Sequence, residues 1–264
     1  MGIKRIRFFT NDKEKSYQIL EDVSKQFLEA GFDIVQNNEF DLGIAIGGDG
    51  TFLKMINECN FLDYVYYVGI NAGTLGFAQD IEVHEVPQFI QDLLNNQFFY
   101  EDIAVETIDI HTGYDTVSYH CLNEVVIRDK DLHTLHFDLL IDDVLLEEFA
   151  GDGMLISTSF GSTAYNLSFG GSMVCNAFDT LQLTPIAPIR SKSYPCLVNS
   201  LILPSFKRVT IIPKNNNSYL LTMDGRNTSY SNITSIDISI QKHISLIRKS
   251  DYNYIRKIND KFVK

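Results

Sequence analysis

Five residues, Gly47-Gly48-Asp49-Gly50-Thr51, stand between an apolar run and an amphipathic one in the stretch IAIGGDGTFLKMI. Glycines at the end of a strand allow positive φ and let backbone N–H groups come close to an anion. A helix that follows adds its N-terminal donors and the positive end of its dipole. A carboxylate gains nothing beside a phosphate unless Mg2+ lies between them or the acid faces a hydroxyl. Phosphoryl transfer to a hydroxyl uses both features. Backbone donors hold the phosphates, and a carboxylate orients the hydroxyl and takes its proton. Asp49 is the candidate proton acceptor. The simpler reading is structural, with Asp49 as a helix N-cap, a position that Asp favours. No GxxxxGK[ST] occurs and no GxGxxG follows a strand, so the P-loop and the usual dinucleotide fingerprint are both missing.

Three further segments carry polar groups where the surroundings are apolar or glycine-rich. NAGTLGF (residues 71–77) ends the next apolar run. LNEVVI places Asn123 and Glu124 inside an expected strand, where neighbouring polar residues need partners or a ligand. GDGMLISTSFGSTAYNLSFGG (residues 151–171) holds five glycines and many hydroxyls around Tyr165. Such a loop offers backbone donors, hydroxyls and a stacking face to a nucleotide. Each segment alone also suits a turn, a satisfied buried pair or a hairpin loop. The spacing of His133 and His136, HxxH, suits a metal only on a helix, and here it lies at the start of an expected strand. Arg190-Ser191-Lys192 is a basic stretch that suits a phosphate or a plain surface loop.

The elements that must position these groups read in two halves. The first alternates strands (3–9, FDIV, DLGIAI, YVYYVGI) with helices over about 14–30, from Thr51, and over about 85–95. Asn11 and Asp12 are candidate caps of the first helix, Tyr17, Leu20, Val23 and Phe27 its apolar face, and Gly31 its stop. Strand–helix alternation predicts a parallel sheet with helices on both faces, and ligands in such sheets bind beyond the carboxyl ends of the strands. From about Ala104 period-two segments joined by short turns predict antiparallel β-structure, a sandwich. The closing SDYNYIRKINDKFVK reads as a helix capped by Ser250, with Tyr254, Ile258 and Phe262 four apart, suited to return to the first half. The expected domains are 1–102 with about 248–264, and 103–247.

Bulk properties narrow the classes. The 264 residues suffice for a large core. A net charge of −12 argues against nucleic acid as a partner and against a lipid kinase, which needs a basic or apolar membrane face. No apolar run approaches the roughly 18 residues of a membrane span, and the N-terminus lacks a signal-peptide core. Four scattered cysteines without CxxC suggest reduced thiols and a cytoplasmic location.

In this order and over the whole chain, GGDGT, NAGTLGF, NE and GDG…GSTAY..S.GG resemble the bacterial NAD kinases. The glycine-acid turn alone is shared with 6-phosphofructokinases and lipid kinases; the NE pair and the GSTAY loop separate them. The resemblance implies a Rossmann-like, phosphofructokinase-like parallel-sheet domain and an antiparallel β-sandwich. It implies transfer of the γ-phosphoryl group of ATP, or a phosphoryl group of polyphosphate, to the adenosine ribose 2′-hydroxyl of NAD. Mg2+ would come with the phosphate donor, and the protein would be a homodimer or homotetramer. Asp49 matches the proton acceptor, Asn123 and Glu124 the dinucleotide contacts, and Asp152 an acid near the nicotinamide end. Thr163, Ala164, Tyr165 and Ser168 match the loop around the nucleotide, Phe77 an aromatic wall near the adenine, and Ala187 a contact that a neighbouring subunit can supply. Gly48, Gly50, Ser159 and Asp224 complete the implied nucleotide-binding set. Ser159 and Phe160 stand where the family usually has Pro-Thr, and Ala150 where many members have a basic residue. A dinucleotide sensor without turnover is the alternative outside enzymes, and the intact Asp49 argues against it.

Overall fold

The computed structural model describes residues 2–73, 76–190, 195–215 and 218–264. Thr74 and Leu75 of NAGTLGF and Ser191 and Lys192 of the basic stretch therefore lie outside the described residues. The chain forms two compact units, Met1–Asp102 with Ile244–Lys264, and Ile103–His243.

The first unit is built on a parallel sheet. Strands Asp33–Ile34, Arg5–Thr10, Leu42–Gly47 and Tyr66–Asn71 lie side by side in that order, followed by the Ile244–Lys249 end of a long strand. Every residue of Leu42–Gly47 is buried, as a central parallel strand requires. Helices Glu14–Glu29 and Val86–Leu94 bring Val23, Phe27, Phe89 and Leu93 onto Ile6, Ile44, Ile46 and Val68. Each such buried side chain contributes roughly 1.5–3 kcal/mol relative to exposure. Helix Asp49–Glu58 buries Phe52, Met55 and Ile56, and the Met55 sulfur lies close enough to Gly43 that a side chain there would crowd it. The helix over 14–29 stops at Gly31, whose φ of +89° allows Phe32 N–H to reach back to Phe27 O.

Three local expectations fail. The first helix has Lys13 at its N-cap with no side-chain cap bond. Asn11 is used elsewhere: its Oδ1 accepts from Lys13 N–H and its Nδ2 donates to Thr51 Oγ1. Tyr17 points outward and the small Ser16 takes the buried position. The closing helix begins at Tyr254, capped by Asn253, whose Oδ1 accepts from Arg256 N–H; Ser250 lies in the preceding turn. It continues as a wider π-helical turn over Asn259–Val263.

The second unit is an antiparallel sandwich. One sheet has the strand order Leu201–Pro204, Thr180–Ile186, Gly153–Thr158, Glu124–Asp129, Tyr219–Met223, Arg226–Tyr230. The other pairs Val144–Gly151, Leu135–Ile141 and Val209–Pro213 with the start of Ile233–Lys249 and a hairpin, Phe98–Thr112 with Thr116–Cys121. Alternate residues of both sheets, including Val125, Ile127, Phe137, Phe149, Ile156, Leu183, Leu221 and Ile236, close on one another as a single core. Among the described residues no helix is long and apolar enough to cross a membrane.

Candidate active site

In the first unit the Gly47–Thr51 turn joins a buried strand to a helix, as the sequence suggests, but the glycines act differently. None of Gly47, Gly48 or Gly50 has positive φ. Gly47 is required by closeness: a Cβ there would strike Thr51 Oγ1. Gly48, the helix N-cap, and Gly50 have nothing within 4 Å of a would-be Cβ, so they leave open surface over the first turn. Asp49 is the first helical residue and not the cap. Its Oδ1 accepts from Ala78 N–H at 2.8 Å and its Oδ2 from Lys261 Nζ at 3.1 Å. Burial pushes the carboxyl upward, but the Ala78 and Phe77 N–H groups and Lys261 outweigh it and hold Asp49 below the usual carboxylate range. The group is thus ionised at neutral pH.

Phe77 is buried, its ring edge-on to Tyr254 at 5.7 Å and tilted against Phe262 at 6.3 Å. Besides Lys261, two residues near Asp49 were not singled out by the sequence. Gly76 leaves no room for a Cβ between Gln79 Oε1 and Asp49 Oδ1. Gln79 is buried, and neither its Oε1 nor its Nε2 has a hydrogen-bond partner.

In the second unit Asn123 sits just before the strand Glu124–Asp129, one position outside where the apolar pattern predicts. Its peptide is held from both sides. Asp224 Oδ1 accepts Asn123 N–H, and Asp224 Oδ2 accepts Leu122 N–H, both at 2.8 Å. Thr158 N–H donates to Asn123 O at 3.0 Å, and Thr158 Oγ1 donates to Leu122 O at 2.6 Å. Asp224 and Gly225, with φ of +48° and +78°, form the two-residue hairpin turn between Tyr219–Met223 and Arg226–Tyr230. The Asp224 carboxylate is therefore spent on peptide groups of the NE segment.

Glu124 is 7% exposed and its Oε2 has no partner. Burial and the nearby Asp224 charge raise its carboxyl to about 8, against the pull of Tyr165 N–H. Beneath it Glu106 is fully buried, accepting Cys121 Sγ–H at 3.0 Å while Oε1 stays unpartnered. Burial raises the Glu106 carboxyl well above the ordinary range, and the Asp224 and Glu124 charges add to this. The signal for Glu106 was an acid inside the alternating strand VETIDI.

The glycine-rich segment is largely ordered secondary structure. Gly153–Thr158 is a buried strand, followed by a 3-10 turn Phe160–Thr163 and a short helix Tyr165–Ser168. Ser159 and Thr163 are buried; Tyr165 and Ser168 are exposed at the surface of the short helix, beside half-buried Ala164. Gly161 abuts the Asn123 carbonyl so closely that no Cβ fits. Asn166 ties the segment down, donating to Ser162 O at 3.1 Å and accepting from Thr184 Oγ1 at 2.7 Å. Asp152 and Ala187 lie together at an exposed edge, where Asp152 N–H reaches Ile186 O at 3.0 Å. Ala187 has φ of +44°, an uncommon conformation for a residue with a Cβ. Asp129, Asp131 and His133 also cluster, but Asp129 Oδ1 is already taken by the N–H groups of Asp131 and His133, as a loop anchor.

Comparison with known proteins completes the assignment. The ATP-NAD kinase N-terminal domain matches residues 3–98 and the ATP-NAD kinase C-terminal domain residues 122–244. The NAD kinase of Finegoldia magna is 36% identical, with 98% of each chain covered. That of Streptococcus agalactiae serotype Ia is 32% identical, covering 98% of this chain and 95% of its own. Among solved structures, yeast NADH kinase complexed with NADH superposes with a TM-score of 0.85 at 20% identity, covering 99% of this chain and 88% of that one, a likeness of fold. The matched domains and relatives, on a parallel-sheet unit followed by an antiparallel sandwich, define a phosphotransferase. The chain belongs to the NAD kinase family.

Proposed function

We propose that this enzyme transfers the γ-phosphoryl group of ATP, or a terminal phosphoryl group of polyphosphate, to the 2′-hydroxyl of the adenosine ribose of NAD. A bond forms between the ribose 2′-oxygen and phosphorus, the bond to the donor's bridging oxygen breaks, and the hydroxyl proton passes to Asp49 and then to water. The observation that carries this reading is the Asp49 carboxylate, ionised and restrained at the start of a helix, with open surface over Gly48 and Gly50.

A carboxylate of low basicity is a weak base for a ribose hydroxyl in the ground state. Asp49 acts by orienting the hydroxyl and accepting the proton late, when the loose transition state has acidified it. Such a base contributes on the order of 10²–10⁴ in rate. Mg2+ enters as part of the substrate, Mg-ATP. A single carboxylate already bonded to Ala78 and Lys261 suits an ion that arrives on phosphates with its own waters, since Mg2+ is held through few carboxylates plus substrate oxygens. Asn123, Glu124, Asp152, Ser159, Thr163, Ala164, Tyr165, Ser168, Ala187 and Phe77 are assigned to the dinucleotide, with Asp224 holding the Asn123 peptide. The unpartnered Glu124 Oε2 supports this, because a buried carboxyl oxygen without a donor calls for a ligand hydroxyl or amine. The family likeness supports a cytoplasmic homo-oligomer.

The test is an assay of purified protein with NAD and either Mg-ATP or polyphosphate, reading NADP with an NADP-specific dehydrogenase. NADP formation is expected, and Asp49→Asn should retain NAD binding and lose most turnover. NAD binding without NADP formation from either donor would replace this reading with a dinucleotide sensor; near-normal turnover of Asp49→Asn would remove the proton-acceptor role.

A further inference from the structure

The C-terminal segment reaches the reacting carboxylate. Lys257 and Lys261 are four residues apart and share one side of the closing helix. Lys257 is ion-paired with buried Asp80, which also binds Arg248. Its ammonium lies 5.5 Å from the Phe77 ring centre and 5.6 Å from that of Tyr252. Tyr254 and Phe262 pack on the Phe77 ring itself. The segment is thereby fastened to residues 77–80, and its next cation, Lys261, lands on Asp49 Oδ2 while lying 5.4 Å from the Phe77 ring centre.

We propose that Lys261 is a positioning residue for phosphoryl transfer: its ammonium fixes one oxygen of Asp49 while the Ala78 N–H fixes the other. The inference rests on the reading of Asp49 as proton acceptor. With both oxygens restrained, the carboxylate cannot rotate, and its remaining lone pairs keep one direction toward an incoming hydroxyl. Among the described residues, the charged and polar groups around Asp49 are Lys261, Lys257, the N–H groups of Phe77 and Ala78, and the amide of Gln79. Among the described residues, only Lys261 forms an ion pair with it, as a partly exposed side chain, 24% accessible. A pair this exposed adds little to stability. A purely structural role would therefore show itself in neither turnover nor pH profile.

The experiment measures kcat, KM for NAD and the pH dependence of kcat for wild type, Lys261→Met, Lys261→Arg, Asp49→Asn and the double variant Asp49→Asn/Lys261→Met. Lys261→Met should lower kcat by about ten- to a hundredfold while KM for NAD changes little. Its acidic limb should move to higher pH, because Asp49 loses a cation that favours ionisation. Lys261→Arg should recover most of the turnover. Lys261→Met should cause no further loss once Asp49 is Asn. Normal kcat and an unmoved acidic limb in Lys261→Met, or an additive loss in the double variant, would overturn the proposal. Should Lys261→Met melt early, the decision falls to the well-folded Arg variant and its acidic limb, where a profile unlike that of wild type overturns it. High turnover of Asp49→Asn alone would sink the proton-acceptor reading instead, so the two failures are distinguishable.

Discussion

Asp224 holds Asn123 in place from a hairpin 101 residues further along the chain: its two carboxylate oxygens take the Asn123 and Leu122 N–H groups at 2.8 Å each. Only a carboxylate offers acceptors on both sides of this turn. Asp224→Asn must point an NH2 group at one peptide N–H, leaving that buried donor unpaired at a cost of about 1–3 kcal/mol. The expected result is a urea midpoint lowered accordingly and a raised KM for NAD, with KM for ATP nearly unchanged. Equal stability and equal KM values in the variant would show that the peptide is held by Thr158 alone.

Gly161 backs the same peptide from the other side. A methyl group there meets the Asn123 carbonyl, which is backbone and cannot swing away. Gly161→Ala should cost about 1–3 kcal/mol, in the range of overpacked cores, and should push Asn123 out of line. Thermal melting and NAD titration together check it: both should worsen. Gly50→Ala, with open space at its Cβ, is the matched control and should melt close to wild type.

These two positions illustrate what the sequence discloses. GGDGT was legible because a strand apolar on both sides runs into it and an amphipathic helix leaves it, and that pattern fixes a strand–turn–helix. Its glycines suggested positive φ, yet the structure uses them for closeness at Gly47 and for open surface at Gly48 and Gly50. Residue type alone does not separate these three uses of glycine. The NE pair stood out as polar residues in an apolar run. Lys261 and Glu106 did not, since a lysine on a terminal amphipathic helix looks solvated and the Asp49–Lys261 pair spans 212 positions. Ser250 is the cap that the sequence suggests; a turn closed by Tyr252 N–H on Lys249 O carries the chain past it and gives the cap to Asn253.

Glu124 and Glu106 make stability depend on pH in a stated direction. Each has a folded-state carboxyl raised above its unfolded value of roughly 4.3, Glu124 to about 8. The folded protein then binds more protons than the unfolded chain between those limits. This contribution is fully present below the unfolded value and is lost as pH rises through about 8. The wild type should melt lower at pH 8 than at pH 5 on this account. Glu124→Gln removes the ionisation and should flatten the slope, melting roughly 2–4 °C above wild type at pH 8. A slope unchanged in Glu124→Gln would place the proton uptake on the other carboxyls that burial raises, Glu106, Asp224 and Glu147, of which Glu106→Gln tests the first.

Arg248 anchors the segment that delivers Lys261. It is 1% exposed, ion-paired to Asp80 and to Glu101 at 2.6 Å, and lies 4.5 Å from the Tyr252 ring centre. Burial raises the Asp80 carboxyl, but Arg248 and Lys257 outweigh it and keep Asp80 ionised. Arg248→Met preserves the bulk and removes the charge, leaving Asp80 with Lys257 alone and Glu101 without its cation. Breaking one side of a buried ion pair costs about 3–5 kcal/mol. The expected loss of stability is therefore several times that of Lys261→Met, whose pair is partly exposed. Its pH dependence also has a sign. Asp80 contributes stability above its unfolded value near 3.9, and this contribution is lost as pH falls through the lower folded value. Arg248→Met raises the Asp80 carboxyl, so acid unfolding should begin at a higher pH than in wild type. Urea unfolding at pH 7 and an acid titration followed by circular dichroism measure both. A midpoint within error of wild type in each would mean that Lys257 alone neutralises Asp80, and that the closing helix is fastened by its aromatic contacts with Phe77.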